Sequence, residues 1–497
     1  MNDARCFCFV VDRVCGLHEF GKRRQASKLN PPMKLRRLWP LGLILVVYLV
    51  VGGLFATRIP AWQSPDEPAH YNYVRQLAQT GAMPIIEPSD WTPGLVPIGP
   101  DNRSVPVERL TYEDHQPVLF YALSVPVFRL SNGSLVALRL FALLLSSLTV
   151  VFTFLTVQTI FPTQTSVAAF AAAFVAFLPQ HVHIMASYNN DALSEALLAI
   201  TVFLCVRLIL QSDQHTSERT DTSEVSKNFG SVRVTLRALT VVVGLALLTK
   251  AQAYLTLPLA IIGLWMAYRN TRTSQVALSA NRPGNPASTL RMGPAWVVPI
   301  VACLIGAPLW LRNITLYGGL DFLGLQRHNA VVIGQPTTAA LIAKLGLGGA
   351  LSKLLRVTFQ SFWGQFGWMS ITLSDRFYLG FLAFTLISAS LFGLWWLRTQ
   401  SQKAHTPAQN KALTLLACLA GMTVLAFAWY NLQFEQHQGR YLYPALISIA
   451  TAISLGWHFT VRKFLVLHNW LWLIFTIVFA AMDVYLLLRV ILPQMKA

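Results

Sequence analysis

The chain has 497 residues, 54% of them hydrophobic against 12% charged, with a mean hydropathy of +0.49. That balance, together with apolar runs of about 18 residues or more, excludes an ordinary soluble domain and calls for a membrane solvent. The formal charge of +18 sits mostly in tails and short connections between the runs, which is the positive-inside pattern and speaks against a nucleic-acid partner.

Lipid admits only helices and closed barrels, and these runs lack the alternation of barrel strands, so the fold class is an all-α polytopic transmembrane bundle. Residues 1–37 read as a basic cytoplasmic tail. Met33 and its basic flank open onto the first apolar run as a signal anchor begins, so residues 1–32 look appended and Met33 is the expected start. Cys6, Cys8, Cys15 and His18 in the tail lack a convincing zinc spacing, while Cys205, Cys303 and Cys418 lie in apolar segments as small hydrophobes. No disulfide framework is expected.

The membrane domain is expected over residues 38–491. Its first span covers about 38–57, and nine basic against three acidic residues precede it, which places the N-terminus in the cytoplasm. The loop 58–134 is then extracytoplasmic, and its apolar stretch Pro117 to Leu130 suits an interfacial helix. Further spans are expected at 135–161, 165–186 and 191–210. A cytoplasmic stretch, 211–235, leads into 236–268, two helices that meet near the outer surface around Lys250. After an acid-free cytoplasmic loop, 269–293, come spans at 294–311, 377–397, 412–430, 441–457 and 466–491, about eleven in all. The segment 312–376 falls outside, with Leu341 to Phe359 lying along the membrane surface and Lys344, Lys353 and Arg356 facing headgroups.

Directly after the first span stands Ser64-Pro65-Asp66-Glu67-Pro68-Ala69-His70-Tyr71-Asn72-Tyr73-Val74-Arg75. Ser64 and Glu67 have the spacing of a capping box with Pro65 at the first helical position, so both acids have a purely structural reading. Their level favours chemistry, because a glycosyl phosphate and an acceptor hydroxyl meet at the headgroup plane. A carboxylate there can remove the acceptor proton while the phosphate leaves from the opposite face, inverting the anomeric centre. His70 and Tyr71 lie one helical turn from the acids.

Asp66-Glu67, followed by Tyr71, Arg75, Gly81 and Pro84, resembles the first-loop motif of the GT-C superfamily, membrane glycosyltransferases that use polyprenyl-phosphate sugars and include protein mannosyltransferases and aminoarabinose transferases. His115-Gln116-Pro117 is similar to the His-Pro-Pro-like motif before the interfacial helix, with Gln116 in place of a proline. Arg139 opens the second span as the superfamily's arginine does. Asn189-Asn190-Asp191 resembles its second outward acidic site, and Lys250 and Arg440-Tyr441 resemble recurring features. Gln438 to Pro444, with Phe362 to Trp368, point to a bacterial membrane-protein family, domain of unknown function 2142. The likeness covers most of residues 34–491.

The resemblance implies an inverting glycosyltransferase in the bacterial cytoplasmic membrane with its active site facing outward. Asp66 would be the catalytic base, with Glu67 sharing that role or orienting the acceptor or a cation. Asp191 would be the second carboxylate, its other reading being a helix-start acid capped by Asn190; Glu195 lies one turn further. His115, Lys250 and Arg440 are candidates for the lipid phosphate, and His70, Tyr71, Arg75, Arg139, Asn190, Gln365 and Tyr441 for the rest of the substrate site. The resemblance leaves metal use open, with no certain cofactor and a divalent metal ion as the candidate, held by Asp66, Glu67 and Asp191. The expected partners are membrane lipids, a polyprenyl-phosphate-linked sugar and a cell-envelope glycan or lipid acceptor. The rival expectation is a transporter or flippase of lipid-linked saccharide, or a non-catalytic assembly protein. His181 and His183 read as interface residues, Asp483 as a buried polar contact, and Trp363 with Trp368 as an aromatic belt or a sugar platform.

Overall fold

Residues 37–91, 107–217, 222–279 and 296–496 are described by the computed structural model of the chain. Cys6, Cys8, Cys15, His18, Met33 and most of the 269–293 connection lie outside them. Contacts divide the chain into Met1–Pro40 and the body Leu41–Ala497.

The helices follow in order as α1 (Trp39–Arg58), α2 (Glu67–Thr80), α3 (Leu119–Leu130), α4 (Leu135–Ile160), α5 (Thr165–Ala176), α6 (Pro179–Met185), α7 (Asp191–Ser217), α8 (Thr222–Leu247) and α9 (Thr256–Ser279). Then come α10 (Val297–Tyr317), α11 (Leu325–Val331), α12 (Thr338–Trp363), α13 (Asp375–Ser401), α14 (Pro407–Gln433), α15 (Leu446–Val461), α16 (Leu465–Leu486) and α17 (Leu492–Lys496). Between α12 and α13 a two-residue hairpin pairs β1 (Gln365–Phe366) with β2 (Ile371–Thr372). The chain is an all-α polytopic membrane protein: among the described residues ten helices are long and apolar enough to cross a bilayer, or eleven if the bent pair α5–α6 is one span. The spans pack α4 on α7, α7 on α9 and α13 on α15.

The apolar run expected as one span over 165–186 is broken. Its two halves meet at 64°. Pro179 has no N–H for the helix ladder, and its ring drives Leu178 into an extended conformation (φ −72°, ψ 117°), so α5 stops and α6 starts afresh.

Successive connections gather alternately at two ends of the bundle. At one end, Arg139 on α4 donates to the carbonyls of Ala56 (3.1 Å), Ile59 (2.7 Å) and Pro60 (3.0 Å), tying the start of α4 to the end of α1. At the other, Gln409 on α14 donates to the carbonyl of Ile160 at 2.8 Å, where α4 finishes. The interfacial helix α3 packs on α2 and α4 at the first end.

Helix α12 passes the length test for a span but lies across that same end. Thr338 donates to the carbonyl of Asn431 (2.7 Å), Lys353 pairs with Glu435, and Ser361 donates to the carbonyl of His437 (3.3 Å). Asn431 and His437 are themselves bonded at 2.8 Å, so the start, middle and end of α12 all meet one compact segment. A helix crossing about 30 Å of hydrocarbon could not do so. Gly346, at φ 70°, bends it partway.

Candidate active site

Asp66 is the last residue before α2 and carries a left-handed backbone (φ 63°). The capping box expected from Ser64 and Glu67 does not form: α2 starts at Glu67 with Pro68 in its first turn and no side-chain cap. The cause is that Glu67 turns inward. Its carboxylate takes Nε (2.7 Å) and Nη2 (2.6 Å) of Arg139 and the backbone N–H groups of Trp62 and Tyr188, both at 3.1 Å. Both partners are buried, Glu67 at 0% and Arg139 at 2% exposure. An ion pair so deep holds only because every donor direction is filled.

The backward turn at Asp66 points the next carboxylate the other way. Asp66 Oδ2 accepts from Arg440 Nη2 at 2.7 Å, and Oδ1 from the hydroxyl of Tyr112 at 3.1 Å. Arg440 sits on the short 3₁₀-helical stretch Gly439–Ala445 and also approaches Asp191 Oδ2 at 3.9 Å. Asp191, at the start of α7, receives Lys250 Nζ at 2.5 Å. Four residues scattered over 374 positions thus alternate as acid, base, acid, base in the order Asp66, Arg440, Asp191, Lys250. Asn189, and not Asn190, accepts the N–H of Asp191 (2.9 Å), so the expected Asn190 cap is replaced by its neighbour. Asn190 instead donates to Gln116 Oε1 at 3.2 Å.

Electrostatics set the protonation states of the loop groups. Burial pushes the Asp66 carboxyl up, but Arg440, with Lys250 behind it, outweighs burial and holds it below the usual carboxylate range. Burial drives His70 down to about 3 despite the nearby acids, so its imidazole is neutral; its Nδ1 shares a 2.7 Å hydrogen bond with Tyr121. His115 is likewise held far below its ordinary value by burial and by His328, whose ring lies 4.4 Å away.

The sequence reading missed Glu113. It is raised to about 7, first by burial and then by the charge of Asp66, and Gln116 Nε2 donates to it at 2.7 Å. No cation touches it among the described residues. The available signal was its place two residues before His115, in the loop already singled out; without helical spacing nothing aimed it at Asp66.

Other expected residues stand outside this cluster. Tyr71 donates to the carbonyl of Gly133 (2.8 Å), and Arg75, half-buried on α2, forms no ion pair among the described residues. Gln365 braces the hairpin, its N–H on Gln180 Oε1 (2.9 Å) and its Nε2 on the carbonyl of Met369 (2.7 Å). Tyr441 flanks the site, with Arg440 5.5 Å over its ring. His181 and His183, expected as interface residues, are fully buried inside the protein, and His181 meets Glu195 at 3.0 Å. Asp483, expected in a polar contact, has neither oxygen bonded among the described residues. Trp363 is buried and stacks on Phe381 at 4.6 Å, which removes it as a sugar platform.

A divalent ion fits this arrangement poorly. Lys250 and Arg440 occupy the carboxylates of Asp191 and Asp66, Arg139 fills Glu67, and no three His, Cys, Asp or Glu residues converge as a ligand set among the described residues. An anion fits well: Arg440 is buried, yet its Nε and Nη1 have no hydrogen-bond partner.

Residues 114–216, 103 of the 497, match the family model described as dolichyl-phosphate-mannose-protein mannosyltransferase. The GT-C likeness is borne out there. The matched stretch holds His115, Arg139, Asn190 and Asp191, while Asp66, Lys250 and Arg440 lie beyond it; the match lends nothing to the narrower kinship with domain of unknown function 2142. No curated protein matches the chain. Among solved structures, ArnT from Cupriavidus metallidurans bound to undecaprenyl phosphate is 12% identical, with 92% of this chain and 73% of that one covered, at a TM-score of 0.47. Its apo form gives 13%, the same coverage and a TM-score of 0.45. The oligosaccharyltransferase of Archaeoglobus fulgidus, in complex with Zn and sulfate, is 12% identical at a TM-score of 0.44; the chain covers 52% of its length.

Proposed function

We propose that the protein is an inverting glycosyltransferase that moves a sugar from a polyprenyl-phosphate donor to a hydroxyl of a cell-envelope glycan or lipid, on the outer face of a bacterial cytoplasmic membrane. The observation that carries this reading is the buried Arg440, whose Nη2 is bonded to Asp66 while, among the described residues, its Nε has no hydrogen-bond partner and its Nη1 only approaches Asp191 at 3.9 Å. A phosphate is the anion whose oxygens suit these open N–H groups, with Lys250 beyond Asp191 as a second charge. The family match over residues 114–216 names a dolichyl-phosphate sugar as its own group's donor, which supports the same class.

The mechanism follows from the alternation of charges. A phosphate seated on Arg440 draws the guanidinium's charge away from Asp66, whose carboxylate becomes more basic as that partner is shared. Asp66 takes the proton of the acceptor hydroxyl; the acceptor oxygen attacks the anomeric carbon; the bond from that carbon to the phosphate oxygen breaks, and the lipid phosphate departs with the electron pair. Attack and departure on opposite faces invert the centre. Glu67, turned away and locked by Arg139, is a positioning residue that fixes the turn carrying Asp66.

The rival reading, translocation of a lipid-linked saccharide, draws on the His181–Glu195 pair buried within the bundle. The experiment compares wild type with Asp66→Asn at equal folded yield for sugar release from polyprenyl-phosphate sugars. Loss of a general base predicts a fall of about a hundredfold or more. Equal turnover removes Asp66 from the chemistry, and silence with every donor alongside flipping in liposomes selects the rival.

A further inference from the structure

Of the five non-glycine residues with positive φ among the described residues, three lie at one junction: Trp62 (67°), Asp66 (63°) and Met369 (67°). There the hairpin 365–372 rests on the loop leading to Asp66. The indole N–H of Trp368 donates to the carbonyl of Trp62 at 3.0 Å, and a Cβ on Gly367 would stand 3.7 Å from the carbonyl of Gln63. The N–H of Trp62 is bonded to Glu67 Oε2 at 3.1 Å, so the buried Arg139–Glu67 pair also holds this residue.

A left-handed backbone is tolerable for aspartate but costs a bulky residue about 1–3 kcal/mol, and it persists only where neighbours overdetermine it. Glycine or asparagine would meet the turn at position 62 more cheaply. Core packing does not explain the large ring at position 62 either, since Trp62 is half-buried and it is Trp368 that packs against Ala69, Leu110, Tyr112 and Val332. A bilayer belt needs an indole at the right depth and no backbone clamp. What the clamp secures is the backbone of Trp62, four residues before Asp66, and the ring it carries stands edge-on to Tyr71 at 5.1 Å.

We propose that Trp62, braced by Trp368, forms an acceptor subsite that stacks on the apolar C–H face of a pyranose ring, so that the acceptor is a glycan and not a peptide or a simple lipid alcohol. Stacking on one face leaves the ring's equatorial hydroxyls at its rim, free to turn toward Asp66. An aromatic platform also suits a polymer end, because it reads the face of the ring and little of its substituents. The orientation toward Asp66 rests on the transfer reading above; the stacking does not.

The test is calorimetric titration of the full-length protein, without donor, with a panel of neutral hexose oligosaccharides. Trp62→Ala is expected to weaken binding roughly tenfold, the affinity equivalent of one lost ring contact, while Trp62→Tyr retains most of it. Trp368→Phe, which keeps an aromatic ring but loses the indole N–H bonded to the Trp62 carbonyl, should fall between the two. It keeps the question open to experiment if Trp62→Ala fails to fold, as thermal unfolding will show. Equal affinity across the tryptophan variants, or no binding by wild type to any oligosaccharide, overturns the subsite. Ring-dependent binding without sugar transfer from any donor sustains the subsite and removes the transferase reading instead.

Discussion

At the scale of single residues, the adjacent acids Asp66 and Glu67 have opposite fates because one left-handed residue separates their directions. Glu67 is structural: Glu67→Gln leaves Arg139 buried without its counter-charge and should cost about 3–5 kcal/mol, read as a lowered thermal midpoint. The double change Glu67→Gln with Arg139→Met should recover part of that loss. Glu113 gives the pH signature. Its carboxyl rises from an ordinary 4.5 to about 7, so between those values the folded protein binds more protons than the unfolded chain and stability falls as pH rises. Glu113→Gln should flatten thermal midpoints measured across that window; a slope that persists unchanged would assign it elsewhere.

At the scale of elements, the site depends on close approaches that only glycine allows. A Cβ on Gly439 would fall on the backbone of Phe362 and lie 2.6 Å from the carbonyl of Thr358, neither of which is a flexible side-chain end. Gly439→Ala should therefore push the Gly439–Ala445 turn off α12 and displace Arg440 next to it. The expected result is a loss of sugar transfer comparable to that of Arg440→Gln, with secondary structure by circular dichroism retained. The break at Pro179 works in the same way. By ending α5 it frees the turn through Tyr188, whose N–H reaches Glu67, so one helix stop supports the loop that carries Asp66.

At the scale of the whole molecule, every element of the candidate site comes to one end of the bundle, and the proposed orientation makes that end the outer face. A cysteine introduced at Ser370, in the hairpin loop, should react with a membrane-impermeant maleimide on intact cells. One at Gln402, at the end of α13, should react only after permeabilisation. The reverse pattern would turn the protein over and place the chemistry in the cytoplasm.

Much of this architecture was legible in the sequence, because length and apolarity alone decide which segments lipid accepts. The ends of α1 and α4 and the short helix α3 follow from runs of residues, whereas α10 runs to Tyr317, six residues past its expected end; the candidates Asp66, Asp191, Lys250 and Arg440 follow from their positions beside spans. The sequence by itself determined that these four lie at span ends. Only the tertiary structure decided that they form one alternating cluster, that Glu67 belongs to Arg139, that Glu113 joins Asp66 and that Trp363 is core while Trp62 is not. Those facts turn on the direction of a side chain after a left-handed residue and on contacts between positions hundreds of residues apart, and neither has a local period for a sequence to display.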